Sequence, residues 1–203
     1  MLHTTTLDPQ TLELLKRIQA LPFLRQMRLV GGTGLALQLG HRVSLDLDLF
    51  GFWNPAGMLT DELRKCGSVI RNGNQDKLQF FQINGVKVDC VMYDYPWLEP
   101  AIEEDGIRIA AISDIAAMKI NAITNRGSRK DFVDLAILLR KYPFSQIFKW
   151  FLAKYGDVNP AIALRSLVYF VDAEVEPMPN MLVPFEWEDA KQTIRQQIQA
   201  FCQ

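Results

Sequence analysis

The sequence predicts an α+β fold, in which a small sheet is flanked by helices and followed by a small C-terminal helical bundle. The strand signals lie in the first half of the chain, where Asn84-Gly85 separates two strand-like runs at 77–83 and 86–93. An Asn-Gly pair between such runs is a strong hairpin signal. After Pro143 the apolar residues change to helical spacing. Strands and helices therefore occupy different parts of the chain, which is typical of α+β proteins.

The first elements are predicted in the order helix, strand, turn, helix. Asp8-Pro9 combines an N-cap residue with proline at the first helical position, and predicts a helix over residues 9–18. A short apolar strand at 27–30 ends at Gly31-Gly32, which permits a tight turn. Thr33 is the predicted N-cap of the next helix. The start of that helix offers main-chain N–H groups and a positive dipole end to an anion.

Helices predominate in the rest of the chain. Asn54-Pro55 predicts a further helix start, and Ser113 is the predicted N-cap of a helix that continues through Ile123. The other predicted helical stretches are 130–141, 144–170 and 187–201, with a loop marked by Pro177, Pro179 and Pro184. We therefore divide the chain into a domain at 1–142 and a C-terminal helical region at 143–203.

Composition limits the possible functions. The 203 residues are 49% apolar and carry a net charge of −1, which argues against the broad basic surface of a non-specific nucleic-acid binder. Cys66, Cys90 and Cys202 have neither zinc-site spacing nor the pattern of a disulfide framework. We find no signal peptide and no membrane-spanning stretch, and together with the cysteines this predicts a cytoplasmic protein without membrane partners.

Asp46 and Asp48 are the most informative residues. Side chains at i and i+2 on a strand point to the same face, so the two carboxylates lie side by side. Their repulsion is costly unless a cation lies between them. Mg²⁺ takes oxygen ligands of this kind and often completes its shell with substrate phosphates. The simpler alternative is an ordinary turn followed by two solvated acids on an edge strand.

Asp89 is a third candidate acid, in the middle of an otherwise apolar strand. An unpaired carboxylate is expensive to bury at such a position. If this strand lies beside that of Asp46 and Asp48, three carboxylates converge. Lys87 lies on the same strand face and is a predicted partner of Asp89. The alternative is a surface acid on an edge strand.

Two stretches carry a resemblance to a known family: GGTGLALQLGHRVSLDLDLF at 31–50 and DIAAMKINAITNRGSRKDFVDLAILL at 114–139, with a weaker link at 86–90. They resemble the AbiEii/AbiGii-type nucleotidyltransferase toxins, within the DNA polymerase β-like nucleotidyltransferase superfamily. The resemblance implies a nucleotidyltransferase fold with a small mixed sheet, an NTP substrate and two Mg²⁺ ions. It also implies a toxin that adds nucleotides to RNA, foremost at tRNA 3′ ends. Such toxins are usually paired with an antitoxin, often a winged-helix repressor.

The resemblance also implies roles for single residues. Asp46 and Asp48 hold the metals, Asp89 acts as metal ligand or general base, and Lys119 contacts the nucleotide phosphates. The predicted nucleotide-binding residues are Gly31, Gly32, Thr33, Ser44, Lys119, Arg129, Lys130, Asp131 and Asp134. In the family an acid of the Asp131-x-x-Asp134 motif positions the lysine or the substrate.

Each of these assignments has a simpler alternative. Lys119 can extend to solvent along an apolar helix face, and Asp131 can cap its helix or complement the dipole. Arg126, Arg129 and Lys130 either contact a triphosphate or acceptor RNA, or form a charged loop.

The residues between the glycine turn and the paired aspartates also have more than one interpretation. Ser44 either binds phosphate, is modified, or solvates a strand entry. We interpret His41 and Arg42 as cations at a helix C-terminus.

Two rival functions stay open at this point. One is nucleotidyl transfer to a small molecule or a protein side chain. The other is a non-catalytic binding protein that retains the fold, which the intact set of acids disfavours.

Overall fold

The structure, a computed structural model, describes residues 1–54, 58–75 and 77–203. Pro55 of the predicted Asn54-Pro55 helix start lies outside the described residues. Contacts divide the chain into two compact units. Unit 1 comprises Met1–Asp94 and Pro100–Ala110, and unit 2 comprises Tyr95–Glu99 and Ala111–Gln203. The division into domains at 1–142 and 143–203 stays a prediction.

Unit 1 is built around one mixed sheet, and the α+β prediction is confirmed. Its described helices are α1 (Pro9–Gln19), α2 (Gly31–Leu39) and α3 (Leu59–Arg64), with 3₁₀ turns at Thr4–Thr6 and Pro22–Leu24. Its described strands are β1 (Arg28–Leu29), β2 (Leu47–Gly51), β3 (Val69–Gln75), β4 (Leu78–Ile83), β5 (Val86–Met92), β6 (Ile102–Glu104) and β7 (Ile107–Ile109). They are ordered β3-β4-β5-β2-β1-β7-β6 in the sheet.

The predicted hairpin is confirmed. β4 and β5 pair antiparallel, with Ile83 opposite Val86. Asn84 and Gly85 between them have φ values of +50° and +87°. Positive φ at both central residues is what a type I′ turn requires, and Asn-Gly supplies it at low cost.

β2 lies between β5 and β1, and its apolar leucines and its acidic residue point to opposite faces of the sheet. It pairs parallel with β5 and antiparallel with β1. Leu47 and Leu49 are fully buried, whereas Asp48, between them, is partly exposed. This is the period-2 alternation of a strand with one face in the core. The carboxylate is therefore presented on the face opposite the core.

The predicted helix starts differ in outcome. Asp8 caps α1, because its carboxylate accepts the main-chain N–H of Gln10 at 2.8 Å. The prediction that Thr33 caps α2 is wrong, since α2 starts at Gly31 and the Thr33 hydroxyl bonds to residues after the helix. The Ser113 cap is also wrong, because the helix is preceded by Ala111 at the N-cap, and Ser113 lies in the first turn, where no side chain accepts a cap hydrogen bond.

Unit 2 is helical over most of its described length, as the sequence predicts. Its helices are α4 (Ile112–Asn125), α5 (Arg129–Leu139), α6 (Phe144–Lys154), α7 (Pro160–Ser166) and α8 (Trp187–Cys202), with a 3₁₀ turn at Asp172–Val175. Aromatic rings form much of its core. Phe132 packs against Phe170 with ring centroids 4.8 Å apart, and Phe144 stacks on Phe148 at 5.3 Å.

A buried ion pair fastens the segment Tyr95–Glu99 inside unit 2. Lys154 Nζ lies 2.6 Å from Asp114 Oδ1, and neither side chain is exposed. The ammonium also donates to the Pro96 carbonyl at 2.7 Å, and Asp114 accepts the main-chain N–H of Leu98 at 2.9 Å. The two charges are thus satisfied by hydrogen bonds as well as by each other, as buried charges must be.

Candidate active site

The glycine turn between β1 and α2 packs against two charged side chains. A Cβ on Gly31 would overlap Asp48 Oδ2, and a Cβ on Gly32 would overlap Arg42 Nη2. Gly31 also has a φ of +64°, which glycine adopts without a steric penalty. Glycine at both positions therefore lets a carboxylate and a guanidinium approach the main chain directly.

Arg42 is the residue that the sequence interpretation misplaced. Its guanidinium lies against Gly32 at the N-terminal turn of α2, so its interpretation as a C-terminal helix cation is wrong. Gly40 ends the helix with a φ of +66°, and a left-handed residue there reverses the chain. Arg42 is 4% exposed and donates to the Val43 carbonyl at 3.1 Å. Gly40 was the residue from which this chain reversal could have been predicted.

Hydroxyl groups link the helix start to the chain that leads into β2. The Thr33 hydroxyl donates to the main-chain carbonyl of Asp46, and Thr33 Oγ1 lies 2.7 Å from Ser44 Oγ. Thr33 and Ser44 are both buried. These bonds hold the segment before β2 against the start of α2, so Thr33, Ser44 and the Asp46 main chain lie together, next to the glycine turn that contacts Asp48.

Asp48 and Asp89 are direct register partners on the parallel strands β2 and β5. Paired residues on neighbouring strands have their side chains on one face of the sheet. Asp89 is 9% exposed, and its Oδ1 is buried without a hydrogen-bond partner. An orphaned carboxylate oxygen is costly in the protein interior and indicates a ligand such as an ion.

Lys87 is the cation of this carboxylate face, and its predicted pairing with Asp89 is confirmed. Lys87 Nζ lies 2.8 Å from Asp89 Oδ2. Partial burial lowers the pKa of Lys87, but the hydrogen bond to Asp89 and the charges of Asp89, Asp46 and Asp48 outweigh it and raise the pKa. Lys87 therefore pairs with Asp89, and its charged form is favoured by the negative charge of the three acids.

The fit of a metal to these acids rests on ligand chemistry. Among the described residues, no three His, Cys, Asp or Glu side chains form a group able to hold a metal ion. Mg²⁺, however, is usually held by one or two carboxylates together with substrate phosphates and water. Adjacent Asp48 and Asp89, with the orphaned Asp89 oxygen, match that type of site. The donor set fits Mg²⁺ bound together with a nucleotide.

Lys119, Asp131 and Asp134 form a buried cluster within unit 2. Lys119 Nζ lies 2.8 Å from Asp131 Oδ1 and 2.6 Å from Asp134 Oδ2, and all three are nearly or fully buried. Lys119 does not extend to solvent. Burial alone would raise the pKa of the Asp131 carboxyl, but Lys119 and Arg126 outweigh burial and hold it well below its usual range.

The predicted basic cluster separates into different contacts. Arg126 Nε lies 2.9 Å from Asp131 Oδ2. Arg129 donates to the Ala173 carbonyl at 2.7 Å and lies over the ring of Trp187 at 5.0 Å. Lys130 is exposed. Arg126 and Arg129 therefore both have partners inside unit 2, while Lys130 points to solvent.

The matches to known proteins agree with this geometry. Residues 13–202 match the sequence family described as nucleotidyl transferase AbiEii toxin, type IV TA system. The chain belongs to the AbiEii nucleotidyltransferase toxin family. It is therefore a nucleotidyltransferase enzyme of a type IV toxin–antitoxin system, which implies an NTP substrate and an antitoxin partner.

Individual relatives extend the comparison. An uncharacterised protein of Aquifex aeolicus, aq_aa25, is 33% identical over 196 residues, covering 93% of this chain and 94% of its own. JHP933 from Helicobacter pylori has a TM-score of 0.59 at 18% identity, over 96% of this chain and 92% of its own. MenT4, a nucleotidyltransferase toxin from Mycobacterium tuberculosis H37Rv, has a TM-score of 0.61 at 14% identity, over 93% and 82%. The two structural likenesses show a shared nucleotidyltransferase fold.

For this AbiEii-family chain, the site residues lie in two groups. Gly31, Gly32, Thr33, Ser44 and the three strand aspartates belong to unit 1, and Lys119, Asp131 and Asp134 belong to unit 2. Cys66, Cys90 and Cys202 are free thiols. No described helix has the length and apolar character needed to cross a bilayer.

Proposed function

We propose that this chain transfers a nucleoside monophosphate from an NTP to an acceptor hydroxyl, and that the acceptor is RNA at the tRNA 3′ end. The observation that carries the proposal is the register pairing of Asp48 with Asp89 beside the glycine turn. Two adjacent carboxylates next to a helix start combine ligands for Mg²⁺ with donors for phosphate. Family membership supports the transfer reaction, and the RNA acceptor is our own extension.

The triphosphate binds at the glycine turn in this proposal. Main-chain N–H groups at Gly31, Gly32 and Thr33 point from the N-terminus of α2 and bind phosphate oxygens. Arg42 adds a planar guanidinium that already lies against Gly32, and guanidinium groups suit phosphate geometry. Ser44, joined to Thr33, contributes a hydroxyl.

The acids divide the remaining tasks. Asp46, Asp48 and Asp89 would hold the metal, and Asp89 would also act as general base on the attacking side. Two bound Mg²⁺ ions would supply Lewis-acid stabilisation of the phosphate charge and lower the pKa of a nearby hydroxyl. The acceptor oxygen forms a bond to the α-phosphorus while the bond to the bridging oxygen of the β-phosphate breaks. Pyrophosphate leaves, and the Asp89 carboxylate takes the hydroxyl proton.

The second group of residues receives its roles from the family resemblance. Lys119 offsets negative charge on the phosphates, and Asp131 and Asp134 position its ammonium. The buried ion pairs of Lys119 with both acids support this positioning role. Arg129 and Lys130 remain proposed nucleotide contacts, and exposed Lys130 is the better placed to bind a ligand in solution.

Labelled NTPs test the proposal. The protein is incubated with each α-³²P-labelled NTP, Mg²⁺ and total bacterial RNA, and the label is separated into RNA, protein and small-molecule fractions. We expect label in the tRNA band, at the 3′ end after nuclease mapping. Label on protein or a small molecule would support the rival acceptor. NTP binding without transfer to any fraction would support a non-catalytic protein.

Matched variants connect transfer to the acids. Asp48→Asn and Asp89→Asn remove one carboxylate charge each, and we expect transfer to fall at least about 100-fold, in line with the loss of a metal or base contribution. Lys77→Gln is the control, because Lys77 forms an exposed ion pair with Asp94 in the same unit. Full transfer by Asp46→Ala/Asp48→Ala would contradict the proposal.

The partner proposal is separate from the chemistry. A toxin acting on tRNA works in the cytoplasm, and we propose that its antitoxin is a winged-helix repressor. Expression of the chain alone and with a neighbouring winged-helix gene tests this, since only co-expression should restore growth. Growth arrest that such a gene leaves unchanged would contradict the partner but not the transfer reaction.

A further inference from the structure

Lys87 shares its carboxylate partner with the metal that the proposed function requires. It lies two residues before Asp89 on β5, so both side chains are on one strand face. Its ammonium occupies Asp89 Oδ2 at 2.8 Å, while Oδ1 of the same carboxylate has no hydrogen-bond partner. A monovalent cation therefore already pairs with the carboxylate that the metal needs.

The two sides of this ion pair differ in freedom to move. The Lys87 side chain is 53% exposed, whereas the Asp89 side chain is 12% exposed. Lysine carries its charge on a flexible four-carbon stem, so the ammonium can leave without rearranging the strand. A divalent cation that binds Asp89 through Oδ1 must share one carboxylate charge with Lys87 on Oδ2, and the two cations repel each other. A phosphate that arrives beside the acids offers Lys87 another anionic partner.

We propose that Lys87 is a tethered counter-ion that competes with the divalent metal for Asp89 and so couples metal binding to nucleotide binding. The inference rests on the proposed function and extends it to a residue with no assigned role. Without nucleotide, the metal binds Asp89 against the repulsion of the Lys87 ammonium. With nucleotide, the ammonium pairs with phosphate oxygens, so the two ligands strengthen each other's binding.

Mn²⁺ binding tests the competition directly. Free Mn²⁺ is measured by electron paramagnetic resonance in titrations of the full chain, with and without each of the four α,β-imido NTP analogues. Lys87→Gln should bind Mn²⁺ alone roughly 3- to 10-fold more tightly than the unmodified protein, the range expected for losing one partly exposed ion pair. Its gain in Mn²⁺ affinity on adding the analogue should shrink by a similar factor.

Two variants separate charge from structure. Lys87→Arg keeps the cation and should retain weak Mn²⁺ binding with strong coupling to the analogue. Lys77→Gln removes an exposed lysine that pairs with Asp94, and should leave Mn²⁺ binding unchanged. If Lys87→Gln lowers stability without metal, Mn²⁺ should raise its melting temperature more than that of the unmodified protein.

The outcomes are distinguishable. If Mn²⁺ binds the unmodified protein with the analogue and Lys87→Gln behaves identically, this inference fails and the proposed function stands. The inference also fails, without harm to the proposed function, if Lys87→Arg and Lys87→Gln change Mn²⁺ affinity equally, because charge is then irrelevant. If Mn²⁺ binds no variant under any condition, the inference and the proposed metal site fail together.

Discussion

Replacement of Lys119 by methionine should destabilise unit 2 severely. The change removes the ammonium from between two carboxylates that are both fully buried, Asp131 and Asp134. Methionine has similar length and fits an apolar helix face, so lost packing contributes little. What remains is buried negative charge without its counter-ion. Removing one partner of a buried ion pair typically costs about 3–5 kcal/mol.

The structure narrows this range. Asp131 keeps Arg126 Nε at 2.9 Å and the Ser128 hydroxyl at 2.7 Å after the substitution. Asp134 loses an ammonium at 2.6 Å. Because Asp131 keeps these two partners, we expect a cost at the lower end of the range, about 3 kcal/mol. Because domains are typically stable by about 5–15 kcal/mol, this is a large share of the total.

Urea unfolding followed by circular dichroism and tryptophan fluorescence measures the effect. Lys149→Met is the matched control, because Lys149 is exposed on α6 in the same unit. Lys119→Met/Asp134→Asn removes both charges and should recover a substantial part of the stability, since deleting a whole buried pair costs less than breaking it. Equal unfolding midpoints for Lys119→Met and Lys149→Met would refute this reasoning.

The double variant also separates structure from chemistry. If Lys119 offsets phosphate charge, Lys119→Met/Asp134→Asn should remain folded at 25 °C and still fail to transfer nucleotide. If Lys119 only neutralises Asp134, transfer should return with stability. Activity measured on the single variant alone would not distinguish these two roles.

Three other changes test separate features of the structure. Asp131→Asn should be less stable than the unmodified protein above about pH 4, and the difference in unfolding free energy should shrink as pH falls. The reason is that a carboxyl group with a depressed pKa stabilises the fold above its unfolded pKa near 3.9 and loses that contribution as pH approaches its folded pKa. A difference that stays constant down to pH 2 in urea titrations would contradict this. Gly32→Ala should displace the Arg42 guanidinium, because the added Cβ would overlap it, and NTP binding measured by calorimetry should weaken about tenfold. Gly156→Ala is the control, since a Cβ there meets open space and should leave NTP binding unchanged. Lys154→Met should lower the free energy of unfolding in urea by about 3–5 kcal/mol, because buried Asp114 loses its counter-ion. Proteolysis should then cut the Tyr95–Glu99 segment faster. Unchanged stability would show that the ion pair contributes nothing.

The features that followed from the sequence are local ones. The hairpin depends on two residues that accept positive φ, and the outward placement of Asp48 between buried Leu47 and Leu49 depends on strand alternation. The pairing of Lys87 with Asp89 follows from the same alternation, since the residues are two apart on β5. Each is decided within a few residues, so a short stretch of sequence contains the necessary information.

The features that the sequence interpretation missed depend on where the chain goes next. Thr33 has the chemistry of an N-cap, but its hydroxyl bonds to the Asp46 carbonyl instead. Arg42 follows a helix end, yet the reversal at Gly40 carries its guanidinium back to Gly32. The sequence around Lys119 allows either a solvent-exposed ammonium or a buried ion pair, and only the packing of α5 against α4 decides between them.

By itself, the sequence determined the fold class, the family and the set of candidate acids, because residue type, spacing and strand period are properties of the chain alone. Only the tertiary structure decided that Asp48 and Asp89 become neighbours across parallel strands and that Arg42 lies over the glycine turn. The physical reason is that strand register is set by burial of the apolar face of the sheet, to which residues far apart in sequence contribute together. Gly40 permits a reversal, but the packing of the residues after it decides where Arg42 lies.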